Sequence, residues 1–197
     1  MSIKLVLGLG NSGAAYVDTR HNAGVILLKK AADCYGASFA YNKYCAAYTA
    51  CAKIAGRPVL LAFADGFMNE SGVGLGKILK FAKLSISETA VIHDDINLDI
   101  GRLKISCGGS SGGHNGVADI ISRFGGGFAR LRAGIGAKPD KRMDLADYVL
   151  GRMAESERAK LLEIDVAGCL ETLVVKGVSE AQNVYNRAGA SQTKKEI

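Results

Sequence analysis

Apolar and polar positions along the chain switch repeatedly between two periods. Residues 3–9 form an apolar run broken by Lys4 and Gly8, which predicts a buried strand. From Ala23 to Tyr35, Val25, Leu28, Ala31 and Ala32 recur at helical spacing. Tyr44 to Ile54 alternates like a strand, and Arg57 to Phe63 is a short buried strand. Asn69 to Phe81 returns to the helical period, with Val73, Leu75, Ile78 and Leu79 on one side. Thr89 to His93 is a further short strand, closed by Asp94 and Asp95. Arg102 to Ser106 reads as a strand, GGSSGG at 108–113 as a loop, His114 to Phe124 as a helix and Phe128 to Gly136 as a strand. Two late helices are expected near 143–152 and 155–176, a shorter one from Ser179, and a polar tail over 189–197. The alternation predicts one α/β domain over residues 1–188, with a twisted, mostly parallel or mixed β-sheet flanked by α-helices.

Composition narrows the setting. The chain has 197 residues, enough for one sizeable core. No apolar run approaches the length of a membrane span, and no signal peptide precedes the first strand. The five cysteines (Cys34, Cys45, Cys51, Cys107 and Cys169) are scattered, with no C-x-x-C pair. That argues against a disulfide framework or zinc site; they read as small buried hydrophobes in a reducing cytosol. A net charge of +6 spread along the chain points to an anionic partner met by a folded surface, not by a basic arm.

The stretch GLGNSG at 8–13 fits the spacing of a dinucleotide-binding loop. That motif needs its last glycine in the first turn of a helix and an acid at the end of the next strand. Here the helix begins only near Ala23, and Asp33 falls inside it. The glycines read instead as a tight strand exit that lets backbone approach something closely.

Chemistry-bearing side chains collect in four loops: Asn11 to Asn22, Phe67 to Asn69, His93 to Asp95, and His114–Asn115 after the glycine run. All three histidines fall there, without the local spacing of a zinc site. They suit general-base hydrolysis. An imidazole accepts a proton from water, a carboxylate on its other nitrogen fixes the tautomer, and amides bind carbonyls without competing for protons. No serine or cysteine occupies a nucleophile elbow, so water is the simpler nucleophile.

The ordered motifs GLGNSGAAYVDTRHNAG, FMNESG, HDDINLDIG, GGHNG and RLRAGIG resemble the bacterial-type peptidyl-tRNA hydrolases, from residue 3 to about 152, with an echo in SEAQNVYNR at 179–187. The resemblance implies a cytoplasmic, monomeric α/β hydrolase needing no metal or cofactor. Such an enzyme cleaves the ester joining a peptide to tRNA and so frees tRNA from aborted translation. It implies His21 as general base, Asp94 as its orienting acid, and Asn11 as the group that distinguishes N-blocked substrate. Tyr16, Phe67, Asn69 and Asn115 would contact the terminal nucleotide and peptide. Met68 and His114 would line the cleft, and Arg132 would contact the tRNA backbone. His93 reads as structural, Asn22 as the cap of the helix from Ala23, and Arg20 as an ion-pair partner as readily as an RNA contact.

Some positions depart from the family pattern. Ser12 stands in place of a proline, which is expected to loosen the first loop. Asp65 brings an acid before Phe67, and Ser106 replaces a common basic residue. Two other classes stay in view: a non-catalytic RNA-binding relative that assists splicing, and a nicotinamide enzyme.

Overall fold

The computed structural model describes residues 2–187; the tail expected over 189–197 lies outside them. Seven strands build one sheet: β1 (Leu5–Gly8), β2 (Ala40–Asn42), β3 (Ala47–Ile54), β4 (Arg57–Ala64), β5 (Thr89–Asp95), β6 (Leu103–Cys107) and β7 (Ala129–Gly134). Their order is β2-β3-β4-β1-β5-β7-β6. The central four, β4, β1, β5 and β7, run parallel, while β2, β3 and β6 are antiparallel to their neighbours. The expected mixed sheet is therefore present, with β2 an addition that the apolar pattern does not reveal.

The helices are α1 (Ala23–Cys34), α2 (Ser71–Ala82), α3 (Asn115–Phe124), α4 (Leu145–Leu150), α5 (Glu155–Leu162), α6 (Val166–Lys176) and α7 (Val178–Tyr185). The single helix expected over 155–176 is two. The chain breaks at Glu163–Asp165, where the Asp165 carboxylate accepts the Gly168 N–H and starts α6 afresh. Each face of the sheet carries its own core. Ile92, Leu131 and Leu61 join Leu27, Leu28 and the Leu161–Ala181 region on one side. On the other, Leu5, Leu7 and Val91 meet Leu75, Ile78, Val117 and Ile120 of α2 and α3.

One contact sets the position of α1. A Cβ on Gly24 would lie 2.3 Å from the Ile92 carbonyl oxygen and 2.7 Å from the Leu9 nitrogen. Gly8 faces it, its own Cβ position only 2.8 Å from the Gly24 carbonyl oxygen. Only glycines let the helix start directly on the ends of β1 and β5. The close approach expected of the first glycine loop is thus made to a helix backbone, and it sets His21, three residues before Gly24, beside the end of β5.

The cysteines are free, and only Cys45 and Cys169 are buried; Cys34, Cys51 and Cys107 are exposed, against expectation. Their strand or helix-end positions point away from both cores.

Candidate active site

Loops from the carboxyl ends of β1, β4 and β5 converge on a cleft of about 830 Å³. Among its lining residues are Asn11, His21, Met68, Asn69, Asp94, His114, Asn115 and Arg132. Tyr16 and Phe67 are not among them; Tyr16 is half-buried in the loop before α1, and Phe67 is 57% exposed beside the cleft. Eight of the ten residues singled out by sequence therefore meet in one place.

Three buried side chains form its centre. Nδ1 of His21 lies 3.0 and 3.1 Å from the two carboxylate oxygens of Asp94. Nε2 of His114 lies 2.9 Å from Asp94 Oδ1. The hydrogen-bond network assigns the tautomers. His114 caps α3, its Nδ1 accepting the Val117 N–H at 3.2 Å, so Nε2 carries the proton and donates it to Asp94. A carboxylate only accepts, so His21 donates from Nδ1 and leaves the lone pair of Nε2 to the cleft. Burial alone would raise the Asp94 pKa, but His114 and then His21 outweigh it and hold the carboxyl well below the usual range. Asp94 is the ionised centre of the array.

His93, expected to be structural, is fully buried, and Nδ1 donates to the Asp94 backbone carbonyl at 2.7 Å. Burial, reinforced by His114, lowers its pKa to about 3. It is a neutral ring whose Nε2 has no partner among the described residues. His114, expected only to line the cleft, does more: it joins a helix terminus to the acid.

Asn22 corrects another expectation. It precedes α1, yet its side chain makes no cap bond. Its Oδ1 accepts the Asn11 N–H at 2.8 Å and its Nδ2 donates to the Asn11 carbonyl at 3.0 Å, clamping the first loop. Asn11 in turn accepts the Met68 N–H on Oδ1 at 2.7 Å. That fixes the amide with Nδ2 turned to the cleft, a pure donor with no partner among the described residues. Ser12 tightens this loop instead of loosening it: its N–H donates to the Gly66 carbonyl and its Oγ accepts the Gly66 N–H, both at 2.9 Å.

The far wall is basic. Arg132 is held at 2.6 Å by Asp95, whose carboxyl the Asn97 N–H and Arg132 keep low against its burial. Arg130, buried beside it, donates to the Ser110 carbonyl and so anchors the glycine loop. Ser106 Oγ and Arg130 Nε are buried in the same wall without partners among the described residues. Arg20 faces elsewhere: it pairs with Glu157 at 2.7 Å and packs on Tyr148. Asp65 is exposed outside this cleft.

His21, Asp94 and His114 are also the group of potential metal ligands among the described residues, with ligand atoms within 4.8 Å of one another. An ion bound there would have to displace both histidine–carboxylate hydrogen bonds. What the arrangement offers as it stands is a base with a fixed lone pair, a buried counter-charge and an oriented amide donor.

The chain is similar to known proteins over most of its length. A family model described as peptidyl-tRNA hydrolase matches residues 5–196. A peptidyl-tRNA hydrolase of Anaeromyxobacter sp. (strain K) is 42% identical over 188 residues, covering 94% of this chain and 97% of that protein. One from Mycobacterium tuberculosis (strain ATCC 25177 / H37Ra) is 40% identical over 182 residues, covering 91% and 95%. The crystal structure of the Acinetobacter baumannii peptidyl-tRNA hydrolase superposes with a TM-score of 0.84 at 32% identity, over 92% of this chain and 93% of that one.

Proposed function

Because this chain belongs to the peptidyl-tRNA hydrolase family and hydrolyses the ester between peptide and tRNA, we propose that His21 is the general base of that reaction. The observation that carries this is the His114–Asp94–His21 chain of hydrogen bonds, whose one uncommitted ring nitrogen is Nε2 of His21, free to take a proton. Water attacks the ester carbonyl carbon as its proton passes to Nε2. Asp94 stabilises the imidazolium that forms. The tetrahedral intermediate then collapses, the carbon–oxygen bond to the terminal ribose breaks, and the imidazolium returns the proton to the departing oxygen. The products are a free peptide and a tRNA ready for reuse.

Asn11 reads the nitrogen end of the substrate. An N-blocked residue presents an acyl carbonyl, which accepts from Nδ2. A free aminoacyl ester presents an ammonium, which has only donors to offer. Asn69 and Asn115, exposed at the rim, hold the terminal nucleotide and peptide, with Phe67 and Tyr16 alongside and Met68 in the floor. Arg132 meets the tRNA backbone. The chain acts as a monomer in the cytoplasm, to which its five free thiols are suited. No described helix is long and apolar enough to cross a membrane.

The test is release of label from N-acetylated aminoacyl-tRNA by purified protein in EDTA, with the unblocked ester as control. Cleavage of the blocked ester alone, reduced at least about 10²-fold by His21→Ala, is expected. Undiminished turnover by that variant would remove His21 as the base. Loss of turnover in EDTA, restored by a divalent metal, would replace the metal-free scheme.

A further inference from the structure

The strands at the other end of the sheet carry a surface that the hydrolytic cleft does not use. Tyr41 of β2 stands opposite Tyr48 of β3, and Tyr48 stands opposite Phe63 of β4. The three rings therefore form a ladder across adjacent strands. Tyr41 meets Tyr48 edge-on at 5.3 Å between centroids, and Tyr48 stacks on Phe63 at 4.9 Å and 14°. Phe39 closes on Phe63 from the side at 5.1 Å. The ladder is open to solvent, with Tyr41 52% and Tyr48 37% exposed. It borders a second cleft, of about 1000 Å³, into which Phe39, Tyr48, Phe63 and Lys29 face.

The charge around it carries both signs: the cleft is lined by Lys29, Lys30 and Arg158 and by Asp33 and Asp65, and the turn between β2 and β3 adds Lys43. Lys29 Nζ sits 5.3 Å from the Phe63 ring centre, and Lys43 Nζ 5.4 Å from that of Tyr44, which is 77% exposed. Rings interleaved with cations on an open sheet face are the arrangement that holds unpaired nucleotides: bases stack on rings whatever their identity, and phosphates meet the ammonium groups. Lysines are depleted at protein interfaces, whereas here Lys29 and Lys43 sit close to ring faces, as a phosphate-bearing ligand would require.

We infer that the Tyr41–Tyr48–Phe63 ladder, with Lys29, Lys43 and Tyr44, binds a short stretch of two or three unpaired ribonucleotides. The site lies three to five strands from Arg132, on the order of 14 to 24 Å at the usual strand spacing. It also lies on the α1 side of the sheet, whereas Arg132 faces the catalytic cleft. Asn11 borders both clefts, so an RNA held on the ladder is within reach of the hydrolytic centre without occupying it. The inference does not depend on the proton-transfer scheme.

The experiment is fluorescence-anisotropy binding of a labelled single-stranded RNA hexamer, with a blunt duplex of equal length as control. Wild type should prefer the single strand. The Tyr41→Ala/Tyr48→Ala variant should bind it about tenfold or more weakly, as expected when stacking rings are removed. Tyr41→Phe/Tyr48→Phe should bind nearly as wild type, and both variants should hydrolyse N-acetylated aminoacyl-tRNA with unchanged kcat. In parallel, photocrosslinking of 4-thiouridine RNA to wild type should label peptides within 39–48 and so tests the site even if the alanine variant fails to fold. No preference for single strands, equal binding by the alanine variant, or crosslinks confined to the Arg132 wall would overturn the inference. So would a sedimentation shift on substitution, which would make the ladder a contact between copies of this chain.

Discussion

His114 Nε2 donates to Asp94 Oδ1 over 2.9 Å, while the other nitrogen of the same ring caps helix α3. The His21 ring is therefore oriented from two elements away: helix terminus, His114, Asp94, His21. Asparagine at 114 can still cap the helix but is too short to reach Asp94. His114→Asn should lower kcat about tenfold or more with the thermal midpoint nearly unchanged. His114→Ala should lose the cap as well, about 1 kcal/mol of stability. Equal kcat in wild type and His114→Asn would show that Asp94 orients His21 without help.

Asn11→Asp keeps the acceptor for the Met68 N–H and removes the donor aimed into the cleft. Selectivity should collapse toward unity, through loss of kcat/KM on the blocked ester with little gain on the free one. Steady-state kinetics on both esters measure this. Preserved selectivity would assign discrimination to another residue.

Arg132 does not present a bare charge, since Asp95 holds it at 2.6 Å. Two substitutions should act in opposite directions. Arg132→Ala should weaken tRNA binding and lower the slope of log K against log salt by about 1. Asp95→Asn should free the guanidinium, tighten binding and steepen that slope. Parallel lines for all three proteins would place the tRNA backbone elsewhere.

His93 makes stability depend on pH. Its folded pKa, about 3, lies below the unfolded value near 6.5, so the unfolded chain binds the extra proton. The stabilisation is complete above about pH 6.5 and declines as pH falls toward 3, by at most ~1.4 kcal/mol per unit. Denaturant melts should show His93→Asn, which can keep the donor to the Asp94 carbonyl, with a flatter profile between pH 6.5 and 4. Asp94 acts lower, below about pH 4, where the unfolded carboxyl begins to protonate, so the two contributions separate. An identical profile in the variant would mean that other groups govern this window.

What the sequence reveals and conceals follows the range of the interactions involved. α1 and the central strands are legible because their apolar faces repeat over many residues. β2 is not: it is three residues long at a sheet edge, and two of them are exposed. The break before α6 hides inside a run of helix formers and depends on Asp165 turning to cap the next helix. The motifs pick out His21, Asp94 and Asn11, which the fold brings to one cleft, because side-chain type is explicit in the sequence. Asn22 as a clamp on Asn11 and His114 as a donor to Asp94 depend on contacts 11 and 20 residues apart, which no local pattern encodes. The exposure of Cys34, Cys51 and Cys107 is hidden for a related reason: hydrophobic character alone does not say which way a residue on a strand or at a helix end will face.

The order of the strands has a temporal meaning. His21, Asp94 and His114 are all translated before residue 115, but β5 lies between β1 and β7, and β7 ends only at Gly134. The core behind β5 is closed later still, by Leu161 to Ala181. The His21–Asp94–His114 cluster therefore takes its final form only once segments well beyond it in sequence pack against the sheet.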